Sequence, residues 1–251
     1  MSIEIELPAR PNGARSAGLL EFAVTRLLMR QTTVSAVETI SPRFRLIDLS
    51  SPAFRGAAWL PGHKIQVKLD GGLVARTYTP FQWNRQEGST RILAYTHGFR
   101  PGSEWVKTVQ RGAQRRVFGP RPSMDLANLP NEIVFFGDET SIGLAAAAYH
   151  GLNAASTFHW VFEVSSPSES RQAFEAIGIP APVLIERRVD DSHLPDIEAA
   201  ILQRWSDSAQ FVLSGKAQSI QFISRSLKAS GINPKRLRVK AYWAVGKVGL
   251  D

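Results

Sequence analysis

"EIVFFGDETSIGLAAAAYHG", residues 132–151, decides the fold. Its apolar start, Ile133 to Phe136, is the length of a strand. Gly137-Asp138 then turns the chain, and a helix of small residues follows, closed by Gly151. A strand that passes through a glycine turn into a helix opens an α/β unit. The alternation continues with "TFHWVFEV" (157–164), a helix near 168–177, "PVLIERRV" (182–189) and a helix near 194–205. "AQFVLSG" (209–215), a helix near 217–229 and "RLRVKAYW" (236–243) complete it. Strands separated by helical segments predict a parallel sheet with right-handed crossovers.

Upstream the texture is different. "KIQVKL" (64–69) alternates strictly, with Ile65, Val67 and Leu69 on one face. "TVSAVETI" (33–40), "FRLIDLS" (44–50), "GGLVARTYT" (71–79), "TRILAYT" (90–96) and "QRRVFGP" (114–120) are similar short runs. Pro61-Gly62, Gly71-Gly72 and Gly119-Pro120 punctuate the joints. Strands at this spacing predict a small antiparallel β-barrel. One short helix interrupts it near 103–110, with Ser103 as N-cap and Glu104 in its first turn. Residues 18–29 place Leu20, Ala23, Val24, Leu27 and Leu28 on one helical face. The expected organisation is therefore an N-terminal extension with an amphipathic helix (1–32), a β-barrel domain (33–124) and an α/β domain (125–251), joined around "GPRPSMDL".

Composition narrows the function. The 251 residues are 43% hydrophobic, enough for a sizeable core. Cysteine is absent, which excludes disulfides, thiolate metal sites and a cysteine nucleophile, and fits a cytosolic location. No apolar run is long enough to span a membrane, and the acidic start "MSIEIELPAR" is unlike a signal peptide. The histidines, at 63, 97, 150, 159 and 193, lack paired metal-ligand spacing. The formal net charge of +8 fits a solvated basic surface, nucleic acid or an anionic small ligand. The basic run "KRLRVK" (235–240) alternates like a half-buried strand, which argues against nucleic acid.

In an open parallel sheet, ligands sit beyond the carboxyl ends of the strands. Three such ends stand out here: "GDETSIG" (137–143), "FEVSS" (162–166) with Glu163, and "LSGKAQS" (213–219). Thr140 or Ser141 caps the helix in the first, and free amides at a helix start suit an anion. Glu163 suits ribose hydroxyls, while the serines and Arg171 would favour a 2′-phosphate. Each end has ordinary capping as its simpler explanation, but together they favour a nucleotide site. In the first domain "RTYT" (76–79) and "THGFRPGSEW" (96–105) are the dense spots. Arg76 is a permanent charge with a fork of donors suited to phosphate, and Tyr78 and Trp105 offer flat rings. The simpler reading makes Arg76 a rim residue and the two rings core. No nucleophile–base pair is readable, so the chemistry points to a cofactor.

These residues resemble the siderophore-interacting proteins, flavin-dependent ferric-siderophore reductases of the ferredoxin–NADP reductase superfamily. "RTYTP", "THGFRPGSEW", "GPRPSM", "FFGDETSIGLAA" and "AYWAVGK" occur in the family's order. The resemblance implies FAD on the barrel, with Arg76 at the pyrophosphate, Tyr78 against the isoalloxazine and Thr79, the catalytic candidate, near its redox-active edge. It adds Thr77, Thr96, His97, Gly98, Gly102, Ser103 and Trp105 to the cofactor site. Asp138, Glu139 and Thr140 would face NADH or NADPH, and Trp243 would lie by the flavin's other face. The implied substrate is an anionic ferric siderophore, steered by Lys64, Arg121 and Lys247. The family's "YWR" is "YWA" here, so Ala244 removes a cation that Lys247 or Lys240 would replace. The family's "AGE" turn is "SGK", with Lys216 in place of an acid. The alternatives are a general NAD(P)H:flavin or quinone reductase on the same scaffold, and a basic binding module without turnover.

Overall fold

The computed structural model describes residues 29–69, 75–97, 101–126, 129–152, 156–180, 182–204 and 206–246. The amphipathic segment near 18–28, Gly98 and Lys247 lie outside them. The described chain forms two sheets. The first comprises β1 (Arg30–Ser41), β2 (Phe44–Ser50), β3 (Lys64–Lys68), β4 (Ala75–Tyr78), β5 (Phe81–Asn84), β6 (Ser89–Tyr95) and β7 (Gln114–Arg121). Its order is β4-β3-β7-β1-β2-β6-β5, and every pairing is antiparallel. Among the described residues no pairing joins β5 back to β4, and the sheet is antiparallel throughout.

One local expectation needs correction, and one strand lies outside the runs read from the sequence. The helix between β6 and β7, α1, runs Pro101–Thr108 and begins earlier than the Ser103 cap predicts. The Ser103 hydroxyl instead donates to the His97 carbonyl at 2.9 Å and accepts from the His97 N–H at 3.1 Å. The chain after Pro80 does not leave the sheet. It resumes as β5, with Gln82 at φ 52 in an irregular ladder against β6. Burial explains this: Phe81 is fully enclosed, and Trp83 packs on Phe54 and Trp59.

The second sheet holds β8 (Glu132–Asp138), β9 (Thr157–Val164), β10 (Val183–Glu186), β11 (Gln210–Lys216) and β12 (Leu237–Trp243). Its order is β10-β9-β8-β11-β12, all parallel. The connections carry α2 (Ile142–Gly151), α3 (Pro167–Ala176), α4 (Leu194–Leu202) and α5 (Ala217–Ala229). The outward reversal at β8 places the carboxyl ends of β8, β9 and β11 at a switch point, where parallel sheets bind ligands.

The small residues of α2 have a packing reason. Ile142 through Ala148 are all buried, between the parallel sheet and β5–β6 of the antiparallel one. A Cβ at Gly143 would lie 3.2 Å from the Thr79 carbonyl, and one at Gly151 would lie 2.3 Å from Pro61 Cγ. The two sheets thus share an apolar core in which Phe44, Leu46, Phe81 and Leu93 meet Phe135, Trp160 and Phe162. A polar clasp borders it. Arg43 forks onto Glu169 at 3.1–3.2 Å and donates to Ser165 at 2.9 Å, and Ser41 also donates to Glu169.

Candidate functional site

A cleft opens between β4 of the antiparallel sheet and the carboxyl ends of the parallel strands. Arg76, Thr77, Tyr78 and Thr79 line one side, and Glu139, Thr140, Tyr242 and Trp243 line the other. Lys64, Arg76 and Lys240 bring positive charge, and Glu139 is the one carboxylate lining it among the described residues.

On the antiparallel side, β4 alternates, so Arg76 and Tyr78 share a face. The Arg76 side chain lies across the first turn of α1. A Cβ at Gly102 would fall 2.3 Å from Arg76 Nε and 2.9 Å from its Cγ. Glycine is therefore what lets the guanidinium rest beside a helix start whose amides have no intrahelical partner. A fork of donors beside free N–H groups suits a phosphate. Tyr78 tilts against Trp105 with ring centroids 5.8 Å apart, and burial pushes its phenol above its ordinary range. The Thr79 hydroxyl sits 3.3 Å from the Tyr242 hydroxyl across the cleft.

On the parallel side the acids are sorted by their partners. Asp138 is fully buried and accepts from the Thr140 N–H at 2.8 Å, the Thr140 hydroxyl at 2.5 Å and Trp243 Nε1 at 2.6 Å. Burial pushes its carboxyl up to about 6, and the Glu139 charge beside it adds to the push. Glu139 accepts from Ser165 N and Oγ and from Arg187 Nη2 at 2.6 Å. Burial alone would raise Glu139, but the Arg187 charge and the Ser165 bonds outweigh it, and the net shift is downward. Glu163 is fully buried, 2.8 Å from His193 Nε2 and 2.9 Å from Ser219 Oγ. Its carboxylate is thus committed to internal partners, which removes the ribose role expected from sequence. His193 Nδ1 accepts from the Arg188 N–H, which assigns the imidazole proton to Nε2.

The last strand carries a bulge. Gly215 pairs with Ala241 and Lys216 with Trp243, so Tyr242 is the extra residue. Successive strand residues normally face opposite ways, and a bulge re-aims them. Here it turns both Tyr242 and Trp243 into the cleft. Gly215 has φ +109, and a Cβ there would meet the Asp138 carboxylate at 2.5 Å. The glycine of "SGK" is thus set by Asp138. Lys216 is buried and pairs with Asp191 at 2.5 Å.

The cleft brings together Arg76, Thr77, Tyr78, Thr79, His97, Gly102, Ser103, Glu139, Thr140, Trp243 and Lys64. Four other expected residues stand back from it. Asp138 lies behind Trp243, while Trp105 is a buried core residue against Tyr78. Thr96 is buried and bonds the Arg43 carbonyl. Arg121 donates to Gln66 at 2.7 Å and stacks over Phe118. Tyr95 and Tyr242 line the cleft beyond the sequence-derived set, Lys240, expected only as a substitute for the cation missing at Ala244, lines it as well, and Arg187 backs it. The doublet Tyr242-Trp243 was the visible signal, but the bulge that turns both inward was not.

No protein-family model matches the sequence, and no curated protein matches it. Solved structures match over nearly the whole chain. The siderophore-interacting protein SipS from Aeromonas hydrophila is 19% identical, with a TM-score of 0.71 over 88% of this chain and 93% of its own. A siderophore utilization protein from T. fusca is 21% identical, with a TM-score of 0.72 over 89% and 95%. A ferredoxin reductase in carbazole 1,9a-dioxygenase is 16% identical, with a TM-score of 0.67 over 85% and 68%. At these identities the likeness establishes the two-sheet fold shared by siderophore-interacting proteins and ferredoxin–NADP reductases.

Proposed function

We propose that this chain is a flavoprotein that passes electrons from NADH or NADPH, through FAD, to ferric siderophores. The observation that carries the reading is the cradle made by Arg76, Gly102 and the start of α1, at one end of a cleft walled by a parallel sheet's switch point. Bound FAD supplies acceptance of a hydride and release of its electrons one at a time. Arg76 holds the pyrophosphate, with Gly102 and Ser103 beside it. Tyr78 packs on the ring, Thr77 flanks it, and Thr79 presents its hydroxyl at the reactive edge, fixed from across the cleft by Tyr242. Thr140 and Glu139 receive the nicotinamide, and Trp243 covers the remaining face. In this reading 33–124 is the FAD domain and 125–251 the nucleotide domain.

A ferric siderophore bearing negative charge would be drawn to a cleft lined by Lys64 and Lys240, with Lys247 as a further candidate. Reduction releases iron because Fe(II) is held weakly by siderophores. One nicotinamide supplies two electrons, enough for two ferric centres. Arg121 favours a second reading, a general flavin or quinone reductase: its guanidinium is occupied by Gln66 and Phe118 rather than lining the cleft.

The absorbance spectrum of the purified protein tests the first claim. FAD bands, bleached by NADPH or NADH under nitrogen, are expected. A colourless protein that FAD does not reconstitute would refute it. Reoxidation rates with a ferric tris-catecholate and with a quinone then separate the two substrates. Faster reoxidation by the quinone would favour the general reductase.

A further inference from the structure

The carboxyl ends of β8 and β9 hold a buried cluster of which the proposed reaction uses only Glu139. Asp138, Glu139 and Glu163 crowd around one guanidinium, Arg187. Three carboxylates against one cation leave excess negative charge in a dry site, and a proton on one of them relieves it. Geometry selects which. Glu139 has the 2.6 Å pair with Arg187, and Glu163 has His193 and Ser219. Among the described residues Asp138 forms no ion pair, and its partners are Thr140 and the Trp243 indole.

Those partners respond differently to a proton. The Thr140 hydroxyl can reverse and accept, whereas an indole N–H only donates. A proton on Asp138 Oδ1 is therefore donated in a hydrogen bond to the Thr140 hydroxyl oxygen, and Oδ2 continues to accept from Trp243, now as part of a neutral acid. The indole loses a charge-assisted bond and keeps a neutral one, roughly half as strong. The rest of the site is shaped around this contact. Gly215 leaves the carboxylate its room, the bulge at Tyr242 aims the indole at it, and Arg187 lies 5.7 Å from the indole centroid on the ring's face.

We propose that Asp138 is a positioning residue for Trp243: its carboxylate grips the indole that walls the cleft, and protonation slackens that grip. The inference goes beyond the flavin reading and does not rest on it. Other titratable groups face the same region. Glu139 shares the turn, Glu163 comes from β9, Arg187 follows β10, and Lys216 leaves β11 with its ammonium turned to Asp191. His193 stands behind Glu163, and Tyr95 and His97 approach from the antiparallel sheet.

The test follows the indole N–H resonances of the full chain, labelled with 15N at tryptophan, from about pH 4.5 to pH 8 without added cofactor, a window that opens above the ordinary carboxyl values and spans the imidazole range. Trp243→Phe identifies the Trp243 resonance. That resonance is expected to move downfield as pH rises, with a midpoint near 6, and to stop titrating in Asp138→Asn. A titration that persists in Asp138→Asn would assign the effect to His193 or His97 and overturn the proposal. So would a Trp243 resonance that does not move. Should Asp138→Asn fail to fold, Glu139→Gln serves, because loss of the neighbouring charge is expected to lower the midpoint. An unchanged midpoint there also overturns the proposal. No flavin enters the measurement, so its failure and a failure of the flavin reading are distinguishable.

Discussion

Arg76 looks like an ordinary strand-end arginine until Gly102 is set beside it. The sequence separates the two by twenty-five residues, and only the fold lays the guanidinium over the helix start. Two changes probe that contact from opposite sides. If Arg76 holds the pyrophosphate as proposed, Arg76→Ala removes a charge-assisted contact of about 1.5–3 kcal/mol, and the FAD dissociation constant is expected to rise by roughly ten- to a hundredfold. Gly102→Ala keeps the charge but pushes it aside, and a smaller rise is expected. Fluorescence titration of the apoprotein with FAD measures both, and equal affinity in wild type and Arg76→Ala would remove the assigned role. Glu139 carries a different kind of prediction. Its folded-state carboxyl is depressed, so its stabilising contribution is present above its ordinary range and is lost as pH falls through the folded value. Glu139→Gln removes the closest partner of Arg187 but leaves it Glu163, at 3.8 Å from Nε, so the cost is expected to fall below the about 3–5 kcal/mol of a fully stranded buried charge. Denaturant midpoints are expected to fall sharply at pH 7 and to converge with wild type in acid. Asp138 runs the other way: with its carboxyl raised to about 6, its contribution is present in acid and lost as pH climbs through that value.

The elements most legible in the sequence were those whose period and length agree with their burial. β8 and α2 are the clearest case, since a four-residue apolar run, a glycine and a small-residue helix admit few other foldings. β9 and α5 match their expected bounds for the same reason. β5 was illegible because Pro80 suggests an end, while the enclosure of Phe81 by distant residues keeps the chain in the sheet. The start of α1 was misread because a serine caps helices in general, yet this serine is claimed by His97. The bulge in β12 has no local signature, although it decides which aromatic rings reach the cleft. Glycine at 215 tests whether that region is as tightly built as it looks. Gly215→Ala must adopt φ +109 with a Cβ 2.5 Å from the Asp138 carboxylate, so it is expected to cost more than about 1 kcal/mol. The loss should exceed that of Gly178→Ala, where φ is also positive but the space is open. Thermal melts of the two variants make the comparison, and equal losses would mean that backbone strain alone sets the cost.

At the scale of the whole molecule, the two sheets act as one frame because their contact is both apolar and clasped. The Phe44, Phe81 and Phe135 core fixes the distance across the interface, and Arg43 with Glu169 and Ser165 fixes the register. That rigidity gives the net charge of +8 a direction, since Lys64, Arg76 and Lys240 share one cleft while Glu139 is neutralised by Arg187. A basic composition spread evenly would raise encounter rates with any anion, whereas a charged cleft with apolar walls concentrates the field at its mouth. Steering and contact differ in their response to salt. The Debye length falls from about 30 Å at 0.01 M to about 3 Å at 1 M, so steering vanishes over that range while a direct bond in the cleft survives. Lys240→Glu is therefore expected to slow reoxidation by an anionic ferric tris-catecholate several-fold at low salt and hardly at all at high salt. Reoxidation by a neutral quinone should change little at either. Arg121→Glu, made where the guanidinium is already bonded to Gln66 and stacked on Phe118, should show the weaker salt dependence of the two. Stopped-flow rates across that salt series decide it. A deficit in Lys240→Glu that persists at 1 M would make Lys240 a contact rather than a guide, and equal deficits for quinone and siderophore would leave the cleft's charge without a role in choosing the substrate.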